Sequence, residues 1–91
     1  NVICIYHRQP KTTSEYNNVR YIQIDLANHA ETEKLSKKID AKVDAFIHCA
    51  AIDGNTQFKL EHAAEILDAN NRLVSNVLKA CKDMQIQSVA L

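Results

Sequence analysis

The chain has 91 residues, 46% of them apolar and 24% charged, with 11 basic side chains against 11 acidic ones and a single glycine, Gly54. At the usual frequency of about 7%, a chain this long carries roughly six glycines, so a Walker loop, a complete glycine-rich dinucleotide turn and a Gly/Ser linker are excluded within it. Zero net charge, with no basic run longer than Lys37-Lys38, lacks the electrostatic footprint of a nucleic-acid or anionic-membrane partner, and no apolar run approaches the roughly 20 residues of a bilayer span.

Val2-Ile3-Cys4-Ile5-Tyr6 is a continuous β-branched and aromatic run, which predicts a strand buried on both faces. A polar loop from His7 to Asn18, holding the only proline, Pro10, separates it from a second run, Val19 to Ile24. Asp25-Leu26 follows, and then a helix over 29–39. Asn28 with Glu31 has the form of a capping box, and Lys37-Lys38 would face the negative end of the helix dipole. Val43 to Ala51 is a third run, too continuous for a strand with one wet face. From Leu60, apolar residues at 63, 64, 67, 74, 77, 78, 81 and 84 follow helical steps and predict one long helix over about 60–84. Ser88-Val89-Ala90-Leu91 begins a fourth strand.

Strands that alternate with helices, in runs apolar enough for burial on both faces, imply a parallel sheet with helical crossovers. Cys4, Cys49 and Cys81 are odd in number and each lies in an apolar stretch, the pattern of reduced thiols in a cytoplasmic protein. His7, His29, His48 and His62 have no metal-ligand spacing, so no metal site is expected. In open parallel sheets ligands bind beyond the carboxyl ends of the strands. Here those places are His7-Arg8, Asp25-Leu26, Cys49-Ala50-Ala51 and whatever follows Leu91.

A strand ending at Arg8, a strand ending at Asp25-Leu26, the segment Asp44 to Ala51 and a long helix containing Asn70 together resemble the short-chain dehydrogenase/reductase superfamily. His48-Cys49-Ala50-Ala51 is closest to the H-x-A-A form of its extended, epimerase/dehydratase-like branch, and Asn76-Val77-Leu78-Lys79-Ala80 resembles that branch's N-L-L-E-A helix. Leu73-Val74 departs from the branch, which usually has Gly-Thr there. The resemblance implies a doubly wound parallel α/β sheet, Rossmann-like, with residues 1–91 as a partial NAD(P)-binding domain. The first strand with its glycine-rich turn would precede Asn1, and the Tyr and Lys of proton transfer would follow Leu91. In the order 3-2-1-4-5 the missing strand lies between the strands at 2–6 and 43–49.

The resemblance also implies site roles, each beside a plainer reading. Arg8 stands where the family discriminates cofactors. A guanidinium there can pair with a ribose 2′-phosphate, and no acidic residue occurs between Val2 and Ser14, which favours NADP over NAD; otherwise Arg8 is a solvated loop residue. Asp25 would accept from the adenine amino group with Leu26 beside the ring, or else Asp25 caps the next helix. Cys49, Ala50 and Ala51 are small enough for a dinucleotide to approach the backbone, or for close packing alone. Asn70, a poor helix former, corresponds to an asparagine that assists the catalytic proton relay, or belongs to a solvated face. His48 reads as a strand-end packing residue, and the loop 52–59 carries no legible role.

The parent activity so implied is NAD(P)-dependent hydride transfer at a hydroxyl or carbonyl carbon of a small-molecule substrate, with a possible homodimer through the 60–84 helix. A different reading within the fold is a non-catalytic NAD(P)-sensing regulator or scaffold, distinguished by the absence of a downstream Tyr-x-x-x-Lys. A self-sufficient interaction module without dinucleotide would require the strand at 2–6 to pair directly with that at 43–49.

Overall fold

The computed structural model describes residues 1–8 and 17–91; the part of the expected loop that holds Pro10 and Tyr16 lies outside the described residues. β1 (Val2–Tyr6) and β2 (Val19–Gln23) pair in parallel from Val2↔Val19 to Tyr6↔Gln23. The Ile24 N–H carries the ladder one step further, donating to the Tyr6 carbonyl at 2.9 Å. The helices α1 (His29–Glu33) and α2 (Leu35–Ile39) follow, then β3 (Ala45–Ile47), α3 (Thr56–Glu61), α4 (Ala63–Asp83) and β4 (Ser88–Ala90). β3 and β4 are again parallel, from Ala45↔Ser88 to Ile47↔Ala90. The described residues therefore form two two-stranded parallel sheets, β1-β2 and β3-β4. Direct pairing of β1 with β3, which a self-sufficient module needs, is not formed among them.

The core is built on α4 and β2. Leu73, Val77, Ala80 and Cys81 of α4 meet Ile22, Ile24 and Leu26 of β2 and its exit, together with Leu35 and Ile39 of α2 and Ile86. Ile24, Leu35 and Val77 are the largest side chains removed from water almost completely, each worth roughly 1.5–3 kcal/mol of transfer free energy. Burial raises the Cys81 thiol above its usual range, as a low-dielectric site disfavours the thiolate.

Several expectations are corrected. The helix expected over 29–39 is interrupted at Lys34, whose N–H reaches back only three residues, to the Glu31 carbonyl at 3.1 Å. The capping box forms by half. Asn28 Oδ1 accepts from the Glu31 N–H at 3.1 Å, but the Glu31 carboxylate takes the Asp25 N–H at 2.7 Å instead of that of Asn28. The long helix starts earlier than 60, because Asn55 Oδ1 caps α3 by accepting from the Phe58 N–H at 2.8 Å, and it breaks at His62, where φ is −126°.

The buried face of α4 is also rotated from the expected one. Leu73, Asn76 and Ala80 are buried, while Ala63 and Ala64 are exposed and Leu67 and Leu78 are 63% and 44% exposed. The third run is not buried on both faces: Ala45 and Ile47 of β3 face solvent, and only Phe46 between them is half-buried. Its other edge has no strand partner among the described residues, because β3 pairs with β4 alone.

Candidate functional site

Parallel pairing brings the carboxyl ends of β1 and β2 side by side. Gln23 Nε2 donates to the His7 carbonyl at 3.0 Å, and His7 Nε2 stands 3.8 Å from Asp25 Oδ2. Arg8 is the next residue along and is exposed. The turn after β2 is closely bonded. Asp25 Oδ1 accepts from the Ala27 N–H at 3.0 Å, and the Asp25 carbonyl accepts from the Asn28 N–H at 3.0 Å. Asn28 is the helix cap, which decides against Asp25 in that role. Asp25 Oδ2, in a side chain 33% exposed, faces His7 Nε2 beside the end of β1.

Leu26 differs in character from Asp25. Its side chain belongs to the core at 8% exposure, so only an edge of it is open to a ring. Its carbonyl accepts two side-chain donors, Asn76 Nδ2 at 2.8 Å and Thr32 Oγ1 at 3.3 Å.

Beyond β3, Cys49, Ala50 and Ala51 are all exposed, and Asn70 of α4 grips the next residue on both sides of its backbone. The Ile52 N–H donates to Asn70 Oδ1 at 2.7 Å, and Asn70 Nδ2 donates to the Ile52 carbonyl at 3.1 Å. A side-chain amide matched to a main-chain residue in this way fixes the loop as a strand neighbour would. Ala51, Ile52, Asp53, Lys59, Leu67 and Asn70 are among the residues lining an open hollow of about 420 Å³ between this loop and α4. Asp53 Oδ1 accepts from the Gly54 N–H at 2.8 Å and is 3.0 Å from Lys59 Nζ. A Cβ at Gly54 would stand 2.5 Å from Phe58 Cδ1, so a larger residue there has to displace the exposed Phe58 ring.

By position the expected residues fall into two groups, Arg8, Asp25 and Leu26 after β1 and β2, and Cys49 to Ala51 with Asn70 beyond β3, where Asn70 bonds to Ile52. Among the described residues no hydrogen bond or ion pair joins one group to the other. The ring of His48 is half-buried, and its Nδ1 has no hydrogen-bond partner among the described residues. Sequence reasoning used Asn76 only as part of a motif. The signal that marks it is position: a polar side chain at 4% exposure on the stripe of Leu73, Val77 and Ala80 needs a buried partner.

A model of the NAD dependent epimerase/dehydratase family matches residues 1–91. A dTDP-4-dehydro-6-deoxy-D-allose reductase of Streptomyces sp is 36% identical over 94 residues, which cover 99% of this chain and 29% of that protein. A protein of the same name from Streptomyces bikiniensis is 36% identical over 89 residues, covering 93% of this chain and 27% of its own. The chain thus spans less than a third of the length of these relatives. No solved structure matches it significantly. With a family model covering every residue, and with parallel strands whose carboxyl ends carry Arg8, Asp25 and the Cys49–Ala51 turn, the chain belongs to the NAD-dependent epimerase/dehydratase family.

Proposed function

We propose that these residues are the adenosine-binding segment of an NAD(P)-dependent oxidoreductase or epimerase/dehydratase that acts at a hydroxyl or carbonyl carbon. The two parallel sheets are the halves of one doubly wound sheet, with a further strand between β1 and β3. The observation that carries the reading is Asp25. Its Oδ1 is committed to the Ala27 N–H, while Oδ2 remains available beside the end of β1, suited to accept from an exocyclic amine. Arg8 would engage the ribose or its 2′-phosphate, and NADP is favoured over NAD because no carboxylate stands near Arg8 in the sequence up to Ser14. Leu26 would offer an edge to the adenine, and Cys49, Ala50 and Ala51 would leave the backbone accessible to the rest of the dinucleotide.

The nicotinamide, when bound, supplies the hydride chemistry; the residues of this chain bind and orient. Asn70, by holding both backbone groups of Ile52, keeps the loop after β3 in place beside the reacting end. The reductases of a dTDP-linked dehydro sugar among the relatives support a nucleotide-sugar substrate for the whole protein.

The test is titration of the complete protein with NADPH and NADH by calorimetry. Arg8→Ala is expected to weaken NADPH roughly 10- to 100-fold, as for loss of a charge-assisted hydrogen bond, and to weaken NADH far less. Equal losses for the two dinucleotides would remove the assignment of NADP.

A further inference from the structure

We infer that Asn76, which touches none of the atoms offered to the cofactor, is a positioning residue that aims the Asp25 carboxylate; the inference rests on the cofactor reading of Asp25. Asn76 Nδ2 donates to the Leu26 carbonyl at 2.8 Å, a bond between residues 50 apart in sequence. That carbonyl and the Ala27 N–H are the two ends of one peptide group, which is planar and resists twisting. The Ala27 N–H in turn donates to Asp25 Oδ1 at 3.0 Å.

A buried side chain on α4 therefore grips one end of a rigid plate whose other end grips Asp25. With Oδ1 held, the direction of Oδ2 is set by the orientation of that plate. Thr32 Oγ1, reaching the same carbonyl at 3.3 Å, is divided between it and the Asn28 carbonyl at 2.8 Å, so the shorter bond from Asn76 dominates. Asn76 is 4% exposed, and without its donor one bond to the Leu26 carbonyl is lost at a site from which water is largely excluded. The plate is then free to rock about the Thr32 contact, and the carboxylate with it. Asn71 lies on the same helix but is exposed and offers a matched control.

A double-mutant cycle in the complete protein tests this, with ADP as the probe so that only the adenosine end is read. Asn76→Ala and Asn76→Leu are each made with Asp25 intact and in an Asp25→Asn background. With Asp25 intact, each should weaken ADP roughly tenfold, the effect of losing one hydrogen bond to a buried group. In the Asp25→Asn background each should cost less than about twofold, because the carboxylate being aimed is already gone. Asn71→Ala should leave ADP affinity unchanged in both. If Asn76→Leu does not fold, Asn76→Ala, which removes the donor without adding bulk or charge, decides alone. Equal losses in the two backgrounds, or no loss with Asp25 intact, overturn the positioning role. ADP bound equally by wild type and Asp25→Asn instead overturns the adenine reading of Asp25, and the inference with it.

Discussion

Asp53 lies in open solvent, yet its carboxyl is held below the ordinary aspartate value of 3.8. The hydrogen bond from Lys59 contributes most, then that from the Gly54 N–H, then the charge of Lys59. A depressed carboxylate adds to loop stability above its unfolded value and loses that contribution as pH falls through the folded one. The loop after β3 should therefore keep this contact at neutral pH and lose it only below about pH 4, where an unperturbed aspartate protonates. Replacing Lys59 by Met should move the Asp53 midpoint, followed by carboxyl NMR, up towards the ordinary value; a midpoint unchanged by the substitution would show that Lys59 does not set it. At this scale the sequence was readable where chemistry follows a strand. Arg8, Asp25 and Ala51 are expected from the sequence because a parallel sheet puts its useful positions at strand ends, and they do follow β1, β2 and β3. Asn76 could not, since its partner is the carbonyl of Leu26, and a backbone acceptor 50 residues away leaves no trace in residue type. The reach of the Glu31 carboxylate to the Asp25 N–H, past the expected cap, was hidden for the same reason.

The ends of elements show what the shortage of glycine demands. Helices commonly close on a left-handed residue, usually glycine, and here Asp40 at φ 46° and Gln85 at φ 57° occupy such positions. At the end of α4 the closing pattern is nonetheless complete. The Ile86 N–H donates to the Cys81 carbonyl at 2.9 Å and the Gln85 N–H to the Lys82 carbonyl at 3.1 Å. Ile86 and Cys81 are both buried in the core, the apolar contact that accompanies this motif. A side chain costs roughly 1–2 kcal/mol in the left-handed region, partly offset by the extra freedom glycine has when unfolded. Gln85→Gly should therefore stabilise the complete protein by about 1 kcal/mol and raise its Tm by a few degrees; a lowered Tm would mean that the Gln85 side chain makes a stabilising contact. Apolar spacing located α4 and its end near residue 84. It did not identify the buried face, because Leu60, Leu67 and Leu78 form a second apolar stripe that periodicity cannot distinguish from Leu73, Val77 and Cys81. The start at Thr56 does not follow from apolar spacing, because a polar cap, Asn55, sets it.

At the scale of the whole molecule, the alternation of strand and helix was legible in the apolar runs, but how the sheet closes was not, because among the described residues β1 pairs only with β2 and β3 only with β4. The consequence is physical. Among the described residues each sheet is only a pair of strands, which is marginal in water without a third strand or a covering helix, and only β2 is covered, by α4 and α2. β3 and β4 each bury no residue fully, and Val2, Ile47 and Leu91 at the strand ends are 55%, 73% and 71% exposed. The Cα radius of gyration, 14.2 Å, exceeds the roughly 12 Å expected of a compact domain of this length. Only the cluster of α4, α2 and β2 has the density of a core. The isolated 91-residue peptide is therefore expected to melt without a cooperative transition, its circular dichroism declining gradually with temperature. With the further strand proposed between β1 and β3, the same residues inside the complete protein should unfold as part of one transition. A sharp calorimetric transition of the isolated peptide, with an enthalpy near the roughly 0.7 kcal/mol per residue of ordinary small domains, would contradict this and favour a unit that closes its sheet by itself.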